Sequence, residues 1–292
     1  MKSFLKFVTI LFGIVLLSAV LAPLIYAWFP VFKFERIFNR LIMIGVIAAS
    51  ILFVRIRKET LAGYGLSWKP ESFYSFGTAF ATAFLILVLY AGIRLGVGNA
   101  QWAPSTFSAV GWIWKGLFCF GAALLIGVIE EFFFRGFVFR SLEKKLKRGI
   151  PTSLILTSIF YSLVHFVNHE KPFIDKTPTF VDSLRLVGAP FSSYLHMNDY
   201  WMAVAGLLLF GAVLNWLVIR SGSLYPAIGM HAGAVFFMKL DGFFIHIPPS
   251  ENVWFGSNQV YDGILGWFFI LFLGILIDQL RRRFIKQPGF GP

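Results

Sequence analysis

The chain has 292 residues, of which 58% are hydrophobic, 18% aromatic and only 14% charged. A soluble domain carries about 25% charged residues and could not hide this much apolar surface, which excludes a water-soluble globule and makes lipid the main solvent. The formal charge of +12 reads as Lys and Arg in cytoplasmic loops rather than as a nucleic-acid footprint. The single cysteine, Cys119, leaves no disulfide framework and no thiolate metal site.

The N-terminal stretch MKSFLKFVTILFGIVLLSAVLAPLIYAW starts basic and stays apolar to Trp28. A signal peptide cut after Ala22 is one reading. The run is longer than a signal core and long enough to span, which favours a retained first helix. About 20 apolar residues cross a hydrocarbon core. Windows of that size select eight spans: 4–26, 37–54, 73–95, 112–134, 150–166, 201–219, 224–240 and 264–280. The expected fold is all-α, a polytopic membrane protein of about eight transmembrane helices. It divides into helices 1–3 (1–110), a core of helices 4–7 (111–240), and a last loop, helix 8 and basic tail (241–292).

Basic residues set the orientation. Arg55, Arg57, Lys58 and Lys69 lie between spans two and three, and Arg140, Lys144, Lys145, Lys147 and Arg148 between four and five. Arg220 lies between six and seven, and Arg281, Arg282, Arg283 and Lys286 follow span eight. The positive-inside rule then puts both termini in the cytoplasm, against the dissent of Lys33, Arg36 and Arg40. The longest inter-span segment, about 167–199, contains FVDSLRLVGAPF, which reads as a short amphipathic piece on the membrane surface.

Ionisable residues inside spans are functional candidates by default. They include Glu130, Glu131 and Arg135 on span four, His165 on span five and His231 on span seven, with the uncharged Asn215 on span six. Four residues apart, Glu131 and Arg135 share a helix face in the better order for an ion pair. Glu130 is rotated about 100° from Glu131, and no Lys, Arg or His stands three or four residues from it. A carboxylate with no cation one turn away suits a general base. A bland alternative is a polar helix end or water-filled crevice.

Depth is compatible with convergence. Taking the turn at 148–151, Glu130 lies 19 residues before Gly149 and His165 lies 16 after it. At ~1.5 Å per residue the two meet at one level in an antiparallel hairpin. The same reckoning carries span four on as a helix through Lys147. His231, nine residues after Gly222, lies near mid-span.

These residues resemble a known family. Glu130-Glu131-x-x-x-Arg135 resembles the EExxxR motif of the CAAX protease and bacteriocin-processing (CPBP, or Abi) family. Tyr161-Ser-Leu-Val-His165 is similar to its aromatic-xxx-His motif, with Tyr where Phe is usual. Phe210-Gly211 through Arg220-Ser-Gly-Ser-Leu-Tyr-Pro-Ala-Ile-Gly-Met-His231 resembles the remaining segments. The likeness covers about residues 117–240. It implies an intramembrane glutamic-type endopeptidase in which Glu130 activates water. Glu131 and Arg135 would support the site, while His165 and His231 position the water or stabilise the oxyanion. No HExxH zinc signature occurs. No cofactor is expected, and a divalent metal held by Glu and His stays open.

One position departs from the family pattern. Val235 stands four after His231, where the family has Asn or Asp. Three readings follow: an enzyme slowed by one lost oxyanion donor, commonly ~10²–10³ in rate; an amide supplied by Asn215 or by Asn168; or a non-catalytic membrane scaffold or immunity protein. A proton-relay transporter is a third function class, but matching broken helices in two halves are missing from the sequence. The resemblance implies a membrane-associated or lipidated peptide or protein as substrate. Lipid is the other partner, nucleic acid is not one, and the bacterial plasma membrane is the expected location.

Overall fold

The computed structural model describes residues 2–146, 149–166, 174, 177–195, 200–248, 252–257 and 259–284. Ten α-helices are found among them: α1 Lys2–Trp28, α2 Phe34–Ile56, α3 Pro70–Gly96, α4 Ala109–Glu131, α5 Arg140–Glu143, α6 Gly149–Phe166, α7 Phe180–Leu195, α8 Trp201–Ser221, α9 Tyr225–Asp241 and α10 Ile264–Phe284. A π-helical segment, Phe132–Phe139, joins α4 to α5. Local chemistry marks the boundaries. Ser108 caps α4 by accepting from Gly111 N at 3.1 Å, and Pro70 and Pro226 open α3 and α9 where their missing N–H is not needed. Gly222 ends α8 at φ +67°, a left-handed conformation that a side chain disfavours.

Six segments are long and apolar enough to cross a membrane: Thr9–Trp28, Phe34–Ile56, Pro70–Gly96, Ala109–Glu143, Trp201–Ser221 and Ile264–Arg283. The other two expected spans are also helices, but shorter. α6 has 18 residues and α9 has 17. Span four continues past the expected hydrocarbon run, though its helix stops at Glu143 rather than Lys147.

The chain forms two compact units, each discontinuous in sequence. One comprises Met1–Thr60 and Val164–Tyr200. Its core is Ala19 and Ala22 of α1 against Phe34, Ile37 and Phe38 of α2. The amphipathic stretch noted in the sequence is α7, and Ser183 Oγ ties it to α1 by donating to the Ala19 carbonyl at 3.0 Å. This unit also includes the last residues of α6.

The other unit comprises Leu61–Leu163 and Trp201–Pro292, and α9 lies at its centre, packed on α3, α4 and α8. Its residues from Tyr225 to Ala234 are all buried, so this helix is surrounded by protein along most of its length. Gly229 and Gly233 make the approach possible. A Cβ at either would strike the backbone carbonyl of Phe76 or Phe80 on α3, beside Ala79 and Ala83. This is the small-xxx-small contact by which helices approach closely in lipid. On another side, Gly127 of α4 leaves room for Ala232 and the Ile228 carbonyl. α6 and α8 run antiparallel, tied by Ser162 Oγ to the Val204 carbonyl at 2.7 Å and by Asn215 Nδ2 to Ser158 Oγ at 3.0 Å. Away from the helix interiors, Gln101–Trp102 and Ile245–His246 form a two-stranded antiparallel ribbon. Nearby, Trp112 stacks on Phe244 with ring centroids 4.9 Å apart.

Candidate active site

The site begins where α4 stops being α-helical. From Phe132 the backbone widens to π-helical winding for eight residues, a feature that recurs at functional sites. The Glu131–Arg135 pair straddles this change, with Glu131 on the last α turn and Arg135 within the π segment. Arg135 Nη1 donates to Glu131 Oε1 at 3.0 Å, and both side chains are 0% exposed. Two buried charges need further partners to offset their desolvation. Arg135 Nη2 donates to the Gly211 carbonyl at 3.1 Å, and its guanidinium lies 4.4 Å over the Tyr161 ring, a cation–π contact. Gly211 can come this close because a Cβ there would sit 3.2 Å from the Tyr161 ring.

The same Glu131 Oε1 lies 2.7 Å from His231 Nδ1. The pairing of Nδ1 with Glu131 leaves Nε2 to face another partner. That Nε2 lies 3.8 Å from Glu130 Oε2, and the Glu130 side chain is 22% exposed where Glu131 is fully buried. The imidazole therefore stands between the two adjacent carboxylates, fastened to one and facing the other. Phe210 and Tyr161 wall its ring edge-on, at 5.5 and 6.3 Å.

The structure thus brings Glu130, Glu131, Arg135 and His231 together from α4, the π segment and α9. Asn215 is fully buried on α8, where its amide nitrogen donates to Ser158 Oγ at 3.0 Å and to the Leu154 carbonyl at 3.4 Å, both on α6. His165 is half-buried in the last turn of α6, one turn beyond Tyr161, among residues that cluster with the first unit. Asn168 lies outside the described residues. Val235 is half-buried one turn past His231. Sequence reasoning missed the Gly211 carbonyl, Ser158 and the cation–π role of Tyr161, none of which has a composition signal. It also passed over Gly229-Met-His-Ala-Gly233, whose GxxxG spacing around His231 was legible.

Residues 112–237 match the family model described as type II CAAX prenyl endopeptidase Rce1-like. Over that segment the chain is similar to that family. The matched segment takes in all six candidate residues and nearly coincides with the stretch read from the motifs. Among curated proteins, the uncharacterized protein YyaK of Bacillus subtilis (strain 168) is 24% identical over 238 residues, 77% of this chain. The match spans 66% of YyaK, just under two thirds of its length. No solved structure matches.

A catalytic zinc site takes three protein ligands. Glu130 and His231 offer two, and among the described residues no group of three or more His, Cys, Asp or Glu side chains could hold a metal ion.

Proposed function

We propose that the protein is an intramembrane endopeptidase in which Glu130 activates water to hydrolyse a peptide bond of a membrane-associated or lipidated peptide or protein. The observation that carries this reading is the division of labour between the two glutamates. Glu131 is fully buried and bound to Arg135 and His231, whereas the Glu130 side chain is 22% exposed, with His231 Nε2 3.8 Å from its Oε2. A water oxygen about 2.8 Å from each of these atoms fits that separation with ordinary hydrogen bonds. Nε2 then accepts from the water and orients it, and Glu130 takes its proton as the oxygen attacks the carbonyl carbon. The C–N bond breaks as Glu130 returns that proton to the leaving nitrogen. The family likeness assigns His165, the other imidazole of the matched segment, to the water or the oxyanion. Asn215 supports the site by holding α8 to α6. The reaction uses no cofactor. The enzyme acts in a bacterial plasma membrane with both termini cytoplasmic, its partners being lipid and substrate and not nucleic acid.

Mass spectrometry of membrane peptides from cells carrying the wild type or Glu130→Gln tests the reading. Substrate peptides should be cleaved only with the wild type, and His165→Ala should lose most of the cleavage. Full biological activity in both variants sinks the enzyme reading.

One observation favours a second reading. Val235 has no hydrogen-bonding group, and the Asn215 amide is already engaged with α6. A non-catalytic scaffold or immunity protein accounts for both. It becomes the better account if function survives Glu130→Gln but not Arg135→Ala, which removes the ion pair that holds the site together.

A further inference from the structure

The ends of α8 and α10 carry a second charged cluster, separate from the glutamate site. The two helices finish together, because Arg281 Nη2 donates to the Arg220 carbonyl at 3.1 Å in the last turn of α8. Around this junction three guanidinium groups share one carboxylate. Asp278 Oδ1 accepts from Arg281 Nη2 at 3.1 Å, and Oδ2 accepts from Arg282 Nε at 2.8 Å. Arg220 Nε lies 3.6 Å from that same Oδ2. Asp278 is the sole acidic residue of either helix, so three positive charges less one negative leave two uncompensated.

The cluster has a rigid part and an open part. Asp278 and Arg281 side chains are each 7% exposed, while those of Arg220 and Arg282 are 42% and 43% exposed. A guanidinium has five N–H donors, and Asp278 engages a single nitrogen on each of the two outer arginines. Both side chains are partly exposed and anchored by the buried carboxylate, which reduces the ordering cost of binding an anion. Depth narrows the choice of anion. Both membrane-length segments end here, at Ser221 and Arg283, which puts the arginines at the level of lipid headgroups. The planar forks of arginine match phosphate oxygens, and basic pockets between transmembrane helices are where such headgroups dock.

We propose that the paired ends of α8 and α10 bind the phosphate headgroup of an anionic phospholipid. Arg220 and Arg282 make the contacts, and Asp278 with Arg281 forms the frame. The surplus of two charges selects a net-anionic headgroup over a zwitterionic one, whose amine cancels its own phosphate. Arg283, exposed at the next position, adds to the field.

The test uses the purified full chain in neutral detergent, with native mass spectrometry reading the lipid retained from mixtures of phosphatidylglycerol and phosphatidylcholine. The wild type should retain phosphatidylglycerol preferentially. Each arginine lost should weaken that binding about fivefold, the equivalent of ~1 kcal/mol per basic residue at an anionic surface, so R220Q/R282Q should lose about 25-fold. R220K/R282K keeps the charge and controls for folding; it should hold the preference for anionic lipid. Equal retention of both lipids by the wild type overturns the proposal, as does a preference unchanged in R220Q/R282Q. Displacement of phosphatidylglycerol by millimolar inorganic phosphate, or by an acidic peptide at equal charge, overturns the assignment to lipid.

Discussion

His231 Nδ1 stands 2.7 Å from Glu131 Oε1, although the two residues are 100 positions apart in the chain. Through this contact the buried charge of Arg135 reaches the imidazole. Arg135 holds Glu131, Glu131 orients His231, and His231 turns Nε2 toward Glu130. The orientation of one ring thus depends on an arginine of another helical segment, which ties the packing of the core to the geometry of the site.

Breaking this chain at its buried end should be costly. Arg135→Met leaves the Glu131 carboxylate in a fully buried position without its cation, a loss of ~3–5 kcal/mol. Glu130→Gln changes a partly exposed group and should shift stability by no more than ~0.5 kcal/mol. Thermal unfolding of both variants in one detergent gives the comparison. Similar midpoints would mean that Glu131 is not held as described.

The glycines of α9 should behave opposite to helix propensity. Gly→Ala in an exposed helix gains roughly 0.5–1 kcal/mol, and Gly116→Ala and Gly121→Ala on α4 should show that gain, because nothing lies within 4 Å of a Cβ at either position. Gly229→Ala and Gly233→Ala should instead destabilise by ~1–3 kcal/mol as α9 is forced off the α3 backbone. Peptide cleavage should fall with them, since His231 lies between the two. Chemical denaturation of the four variants reads the sign directly.

Asn215 and Ser158 should be energetically coupled. Their 3.0 Å contact joins α8 to α6 in the protein interior, and interhelical hydrogen bonds in membranes average about 0.6 kcal/mol in double-mutant cycles. A cycle of Asn215→Leu, Ser158→Ala and the double variant should return a coupling of that size. Zero coupling, with strong loss of cleavage in Asn215→Leu alone, would move Asn215 from support into the chemistry.

Val235→Asn should accelerate cleavage. It restores an amide one turn beyond His231, and a single oxyanion donor is worth ~10²–10³ in rate where it is well aimed. Initial rates against the wild type measure the gain. A well-folded variant with a lower rate argues against a missing donor at this position.

The start of α7 should respond to acid. The backbone N–H of Thr179, then its hydroxyl, hold the Asp182 carboxyl below the usual range, with a further contribution from Arg185. A depressed folded pKa means the stabilisation is present above the unfolded value of about 3.9 and is lost as pH falls through the folded one. Hydrogen exchange at the first turn of α7 should therefore stay slow from neutral pH to about 4 and speed up only below it. Thr179→Val, which removes the hydroxyl, should move that transition to higher pH.

Much was legible in the amino-acid order. Apolar runs of about 20 residues determined a helical membrane protein, because a bilayer admits only helices and closed barrels, and barrel strands are about half that length. The adjacent carboxylates, with an arginine four residues on, marked the site, since charges in that setting need partners. The tertiary structure decided the rest. The π segment at Phe132–Phe139 has no periodic signature, and a helix register written at 3.6 residues per turn passes straight over it. The burial of α9 could not be read from its composition, because an apolar helix looks the same whether it faces lipid or protein. Above all, which glutamate the histidine grips depends on the rotation of two helices 100 residues apart. That rotation is set by glycines packing on α3, a steric property of close approach that the local order of residues does not carry.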